Sequence, residues 1–167
     1  KPLRGLALAR MIGHVTYLSD LSMAEKFGRE VLSGDFCNEK LESVKFKIES
    51  YLNYQGDKFA NGFDANSYIL LTKMLDYFDL AREYDNQPSS AFRVATCKFL
   101  VLTFSSDWRF PPERSREITK ALITAGCDVT HAEITSSLGH DAFLLPNSRY
   151  QQIFSTFMRR VASTLER

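Results

Sequence analysis

Two residues in this sequence have the types and the spacing for acid–base chemistry: Asp107, in Ser105-Ser106-Asp107, and His140, in Leu138-Gly139-His140. Each follows a run that reads as a β-strand. A carboxylate that accepts a hydrogen bond from an imidazole fixes which ring nitrogen carries the proton and stabilises the imidazolium. The other nitrogen can then take a proton from a serine. Neighbouring strands would bring the two side chains together although 33 positions separate them. Both residues also have plainer readings, Asp107 as an N-cap for the helix that Pro111 opens and His140 as a loop histidine bonded to backbone. Ser105 and Ser106 read as strand-end residues rather than as a nucleophile.

The pair depends on the second half of the chain, whose pattern runs strand, helix, strand, helix. Lys98 to Phe104 is short and rich in β-prone residues, as a strand buried on both faces is. Pro111 and Pro112 start a helix with Ile118, Leu122 and Ile123 expected inward, Gly126 closes it, and Val129 to Ile134 is the next strand. A last helix covers about Ser148 to Leu165, with Ile153, Phe154, Phe157, Val161 and Leu165 on its buried side. This alternation implies a parallel sheet with crossover helices, in which functional groups collect at the carboxyl ends of the strands.

The first half reads as helical, with no convincing strand. Leu8, Met11, Ile12, Val15 and Leu18 form an apolar stripe on a helix from about Arg4 to Leu18. Ser22 and Glu25 form a capping box for a second helix that ends at Gly28 or Gly34. Val44, Ile48, Tyr51 and Leu52 mark a third helix closed near Gly56, and Tyr68, Leu71, Leu75 and Phe78 a fourth opened around Asp64. Pro and Ser between Asn86 and Ser90 mark the seam. The expected organisation is an all-helical segment over residues 1–88 and a strand-helix-strand-helix segment over residues 89–167.

Composition narrows the partners. At 167 residues, 44% of them hydrophobic, the chain can bury a core, and a net charge of +1 offers no positive field for nucleic acid or anionic lipid. Its apolar runs, such as Phe99 to Leu102, fall far short of the ~20 residues a spanning helix needs. Cys37, Cys97 and Cys127 are too widely spaced for a zinc knuckle, so no metal site is expected. Lys1-Pro2-Leu3-Arg4 lacks a signal-peptide layout, and a soluble protein of the reducing cytoplasm is expected.

Longer blocks add a resemblance. Ser105-Ser106-Asp107-Trp108-Arg109-Phe110-Pro111-Pro112 with Ser115-Arg116-Glu117, and Gly139-His140-Asp141-Ala142-Phe143-Leu144-Leu145-Pro146, closely resemble the C-terminal motifs of bacterial homoserine O-acyltransferases. So do Ala9-Arg10-Met11-Ile12-Gly13-His14-Val15-Thr16-Tyr17, Glu49-Ser50-Tyr51-Leu52 and Phe63-Asp64-Ala65-Asn66-Ser67-Tyr68. The resemblance implies the C-terminal part of an α/β-hydrolase fold, preceded by a helical lid that also forms much of a homodimer contact. It implies ping-pong transfer of an acyl group from acyl-CoA, the co-substrate, to a serine and then to the γ-hydroxyl of L-homoserine, on the way to methionine. No further cofactor is implied. His140 would be the general base and acid and Asp107 its orienter. In the chain order of such triads the serine lies upstream, and no Gly-x-Ser-x-Gly occurs among the eight glycines. The nucleophile-bearing N-terminal half of the same protein is therefore an expected partner.

The resemblance also assigns substrate contacts. Arg10 and Tyr17, two helical turns apart with His14 between them, would hold the homoserine carboxylate, and Asp141 its ammonium. His14 reads as a packed or hydrogen-bonded residue. Family members that use succinyl-CoA tend to carry arginine at the position of Arg109, where a guanidinium could meet the free succinyl carboxylate; a salt bridge from Arg109 to Glu113 is the alternative. Succinyl is thus the favoured donor, with acetyl close behind. Two other functions stay open: a generic esterase of the same fold, and a non-catalytic helical dimerisation fragment.

Overall fold

The computed structural model describes residues 2–34 and 45–165. Cys37 and Val44 lie outside the described residues, as does the side chain of Leu165. The chain forms two compact units, Lys1–Phe78 and Asp79–Arg167.

In the first unit, helix α1 (Leu3–Tyr17) packs on α3 (Lys47–Gly62). Small residues make the crossing close. Leu6, Ala7 and Ala60 are its buried core, with Met11, Phe59 and Tyr68 packed around them. Helix α3 runs through Gly56 instead of ending there, and a Cβ placed on Gly56 would lie 3.0 Å from the Ala7 carbonyl oxygen and 2.9 Å from Met11 Cε. Of the expected α1 stripe, Met11 packs against this core, whereas Leu8 and Ile12 are each 58% exposed and Val15 is exposed too. Close approach selects the face that carries Ala7, because larger residues on that side would hold the helices apart.

Helix α2 (Asp20–Phe27) is capped by Ser19, whose Oγ accepts from the Ser22 amide at 3.1 Å. The cap thus sits three residues before the expected Ser22 box, and Gly28, with φ of +49°, ends the helix. The segment is not all-helical. Strands β1 (Val31–Ser33) and β2 (Lys45–Phe46) pair antiparallel in a short ribbon leading into α3. They are too short for a period-2 pattern to register. Helix α4 (Ala65–Tyr77) opens at Asp64, which accepts from the Ser67 amide at 2.7 Å, as its N-cap chemistry predicts.

The second unit begins with left-handed residues at Asp85 and Asn86 and a short helix α5 (Pro88–Phe92). Then follow β3 (Phe99–Phe104), α6 (Pro112–Thr124), β4 (Val129–Ile134) and α7 (Ser148–Leu165). β3 and β4 are parallel and in register from Phe99 opposite Val129 to Phe104 opposite Ile134, joined by α6 as a crossover helix. Leu122 is 1% exposed at the α6 face turned inward, whereas Ile118 and Ile123 are half or more exposed. An α-helix advances 100° per residue, so Ile123 cannot share the direction of Leu122, and Ile118 sits at the edge of the stripe. Phe154 on α7 is likewise exposed at 44%, while Ile153 packs against Phe104, Ile134 and Ala142. Arg116 on α6 donates to Glu133 on β4 at 2.6 Å, a hydrogen bond that raises the guanidinium pKa above its ordinary value. Among the described residues no helix is long and apolar enough to cross a membrane.

Candidate active site

Because β3 and β4 end level with each other, the segments that leave them start side by side. Asp107 lies three residues beyond Phe104, in a turn closed by its own amide donating to the Phe104 carbonyl at 3.0 Å. The chain beyond Ile134 returns over the same edge and enters a 3-10 turn at His140–Leu144. His140 Nδ1 lies 2.8 Å from Asp107 Oδ2. The structure thus brings the two residues together as the strand order predicts.

Asp107 is 8% exposed, a costly place for a carboxylate unless its oxygens are bonded. They are. Oδ1 accepts from the Arg109 amide at 3.0 Å and the Phe110 amide at 2.9 Å, and Oδ2 faces the imidazole. Asp107 does not cap α6, whose N-cap is Pro111; it caps the turn that precedes it. A carboxylate only accepts, so opposite it Nδ1 is the donor nitrogen and Nε2 is left to act as the base.

Two aromatic residues to which the sequence assigns no role, Phe110 and Phe143, flank the imidazole. The Phe110 ring centroid lies 5.1 Å from that of His140, and the Phe143 centroid 5.8 Å. Both stand three positions after a member of the pair and inside the two blocks that carry the resemblance, signals that could have marked them. With Leu102, Phe104 and Phe154 they line a cleft of about 430 Å³ that reaches Asp107 and His140. It is an apolar setting, in which charge developing on the imidazole interacts strongly with the carboxylate.

The Arg109 guanidinium carbon lies 5.7 Å from the Phe110 ring centroid, and Glu113 accepts from Arg116 at 3.3 Å. Asp141 follows His140 in the 3-10 turn and is half-buried. In the first unit, Arg10 Nη1 donates to the Tyr17 hydroxyl at 3.4 Å, and the guanidinium lies 5.1 Å from the Phe59 ring centroid. The two residues share a face of α1, as their seven-residue spacing requires. His14 Nδ1 is 3.1 Å from the Tyr51 hydroxyl, the hydrogen-bonded state expected of it. Among the described residues there is no group of three or more His, Cys, Asp or Glu that could hold a metal.

No protein-family model matches the chain. It is 62% identical over 160 residues to the homoserine O-succinyltransferase of Cellvibrio japonicus, an alignment that covers 96% of this chain and 42% of that protein. The homoserine O-succinyltransferase of Saccharophagus degradans is 60% identical, with the same coverage. Among solved structures, a homoserine O-acetyltransferase from Bacillus anthracis superposes with a TM-score of 0.72 at 21% identity, over 85% of this chain and 37% of that one. An esterase superposes at 0.65 with 20% identity, over 84% of this chain and 38% of that one. These neighbours are of the α/β-hydrolase type, in keeping with the small parallel sheet and its crossover helix. Over nearly its whole length the chain is homologous to the homoserine O-succinyltransferases, and it spans about two fifths of theirs, 42% of the Cellvibrio protein.

Proposed function

We propose that this chain supplies the acid–base half of the acyl-transfer site of a homoserine O-acyltransferase, an α/β-hydrolase-type enzyme with a helical lid. The observation that carries the reading is the 2.8 Å pairing of the buried Asp107 carboxylate with His140. It leaves Nε2 as the base for a serine, which we place in residues outside this sequence, in the rest of a protein as long as its relatives. The serine hydroxyl loses its proton to His140 as its oxygen bonds to the thioester carbon. The carbon–sulfur bond then breaks, and CoA leaves as the thiol with that proton. In the second half-reaction the homoserine γ-hydroxyl gives its proton to His140 and bonds to the acyl carbon, and His140 returns the proton to the departing serine oxygen.

Arg10 with Tyr17 receives the homoserine carboxylate, and Asp141 the ammonium. Arg109 favours a succinyl donor, because its guanidinium meets a carboxylate that acetyl lacks. The succinyltransferase names of the relatives support that choice. The product feeds methionine synthesis, and the lid helices form a homodimer contact.

The test is CoA release by the full-length protein from succinyl-CoA, followed with a thiol reagent. Release beyond one equivalent per enzyme is expected to require L-homoserine, which alone clears the acyl-enzyme, and sustained release indifferent to homoserine would refute the reading. The likeness to an esterase favours one competing reading, ester hydrolysis by the same dyad, and that outcome would select it.

A further inference from the structure

Resting on the acyl-transfer reading, we propose that Ser106 is a positioning residue for the reaction: its hydroxyl oxygen holds the peptide that carries His140 at the distance Asp107 needs. Three consecutive residues after β3 each reach across to the segment after β4. Ser105 Oγ accepts from the Ser136 amide at 3.0 Å and donates to the Ser136 carbonyl at 3.1 Å. Ser106 Oγ accepts from the Gly139 amide at 2.9 Å, and Asp107 Oδ2 faces His140 Nδ1 at 2.8 Å. The dipeptide Ser106-Asp107 therefore grips the dipeptide Gly139-His140 twice, once at backbone and once at the imidazole.

The backbone grip matters because of where it falls. Gly139 is buried, with φ of +76° and ψ of −152°, a conformation that favours glycine. The Ser106 oxygen gives this buried amide its acceptor, and removing that oxygen would leave the amide to find another by moving. The amide is one residue from His140, so such movement shifts the ring against a carboxylate whose other oxygen is fixed by the amides of Arg109 and Phe110. Ser105 ties the same two segments farther from the imidazole, at Ser136.

The experiment compares Ser106→Ala, Ser106→Thr and Ser105→Ala in the full-length enzyme. It reads kcat, both KM values, the thermal midpoint, and the downfield proton resonance of the Asp107–His140 hydrogen bond without substrate. For Ser106→Ala we expect kcat to fall about ten-fold, the factor that corresponds to the net worth of one hydrogen bond. Both KM values should stay within about two-fold, since no substrate contact is removed. The dyad resonance should broaden. Threonine, which keeps the acceptor oxygen, should restore kcat and the resonance, and Ser105→Ala should leave both nearer to wild type. Three results would overturn the proposal: unchanged kcat and resonance in Ser106→Ala, a lower thermal midpoint with both readouts intact, or a threonine variant as impaired as alanine. If the alanine variant does not fold, the threonine variant decides alone. The resonance is read without substrate, so it judges Ser106 even if the wild-type protein shows no homoserine-dependent turnover.

Discussion

At the scale of single residues, Asp107 does two jobs with two oxygens. Oδ1 accepts from the Arg109 and Phe110 amides and Oδ2 faces His140, which in the proposed reaction keeps the carboxylate fixed while the imidazole changes charge. Replacing Asp107 by Asn keeps the shape but offers Oδ2's place to an amide that can donate, which selects the wrong tautomer of His140. The expected loss in kcat of the full-length enzyme is about 10⁴-fold, measured at saturating substrate, and a loss of less than about ten-fold would remove Asp107 from the mechanism. In the proposed reaction Arg109 bears on the donor. Arg109→Leu should lower kcat/KM for succinyl-CoA by about ten- to a hundred-fold and leave acetyl-CoA nearly unaffected, and an unchanged ratio of the two would show that the guanidinium meets no substrate carboxylate.

At the scale of elements, the parallel register of β3 and β4 and the packing of α1 on α3 carry the architecture. Gly56 tests the second. Alanine in mid-helix ordinarily stabilises by about 1 kcal/mol over glycine. Here the new methyl would press on the Ala7 backbone, 3.0 Å away, so the sign reverses. Gly56→Ala should lower stability by about 1–3 kcal/mol in thermal or urea unfolding. Gly62→Ala, at the end of the same helix with open space around it, should be neutral or slightly stabilising. Equal effects would mean that the crossing is looser than its distances imply. The elements also mark where pattern reading reaches its limit. The fourth helix, the strand pair and the final helix were legible because caps, prolines and β-prone runs are local signals. Which face of α1 is buried was not, since that depends on what α3 presents to it.

At the scale of the whole molecule, much apolar surface stays exposed on α4, where Leu71, Met74 and Leu75 are 51%, 60% and 76% exposed. On the proposed function this surface carries the homodimer contact, since exposed apolar patches mark association sites. The pair Leu71→Glu and Leu75→Glu should convert the full-length protein from dimer to monomer in sedimentation, and a dimer that survives both would move the contact elsewhere. The sequence by itself determined the strand, helix, strand, helix order from β3 to α7, and it offered the pairing of Asp107 with His140 as one of two open readings, which the 2.8 Å contact then selected. Turn residues, proline starts and strand runs are written locally, and parallel strands joined by a crossover helix must end side by side. It also determined that Arg10 and Tyr17 share a face, because helical periodicity alone dictates that. Only the tertiary structure decided that Ser106 holds Gly139, that Phe110 and Phe143 flank the imidazole, and that Leu8 and Ile12 face outward. Each of these depends on distances between segments remote in sequence, set by how closely packed elements approach, and composition and period do not encode that distance.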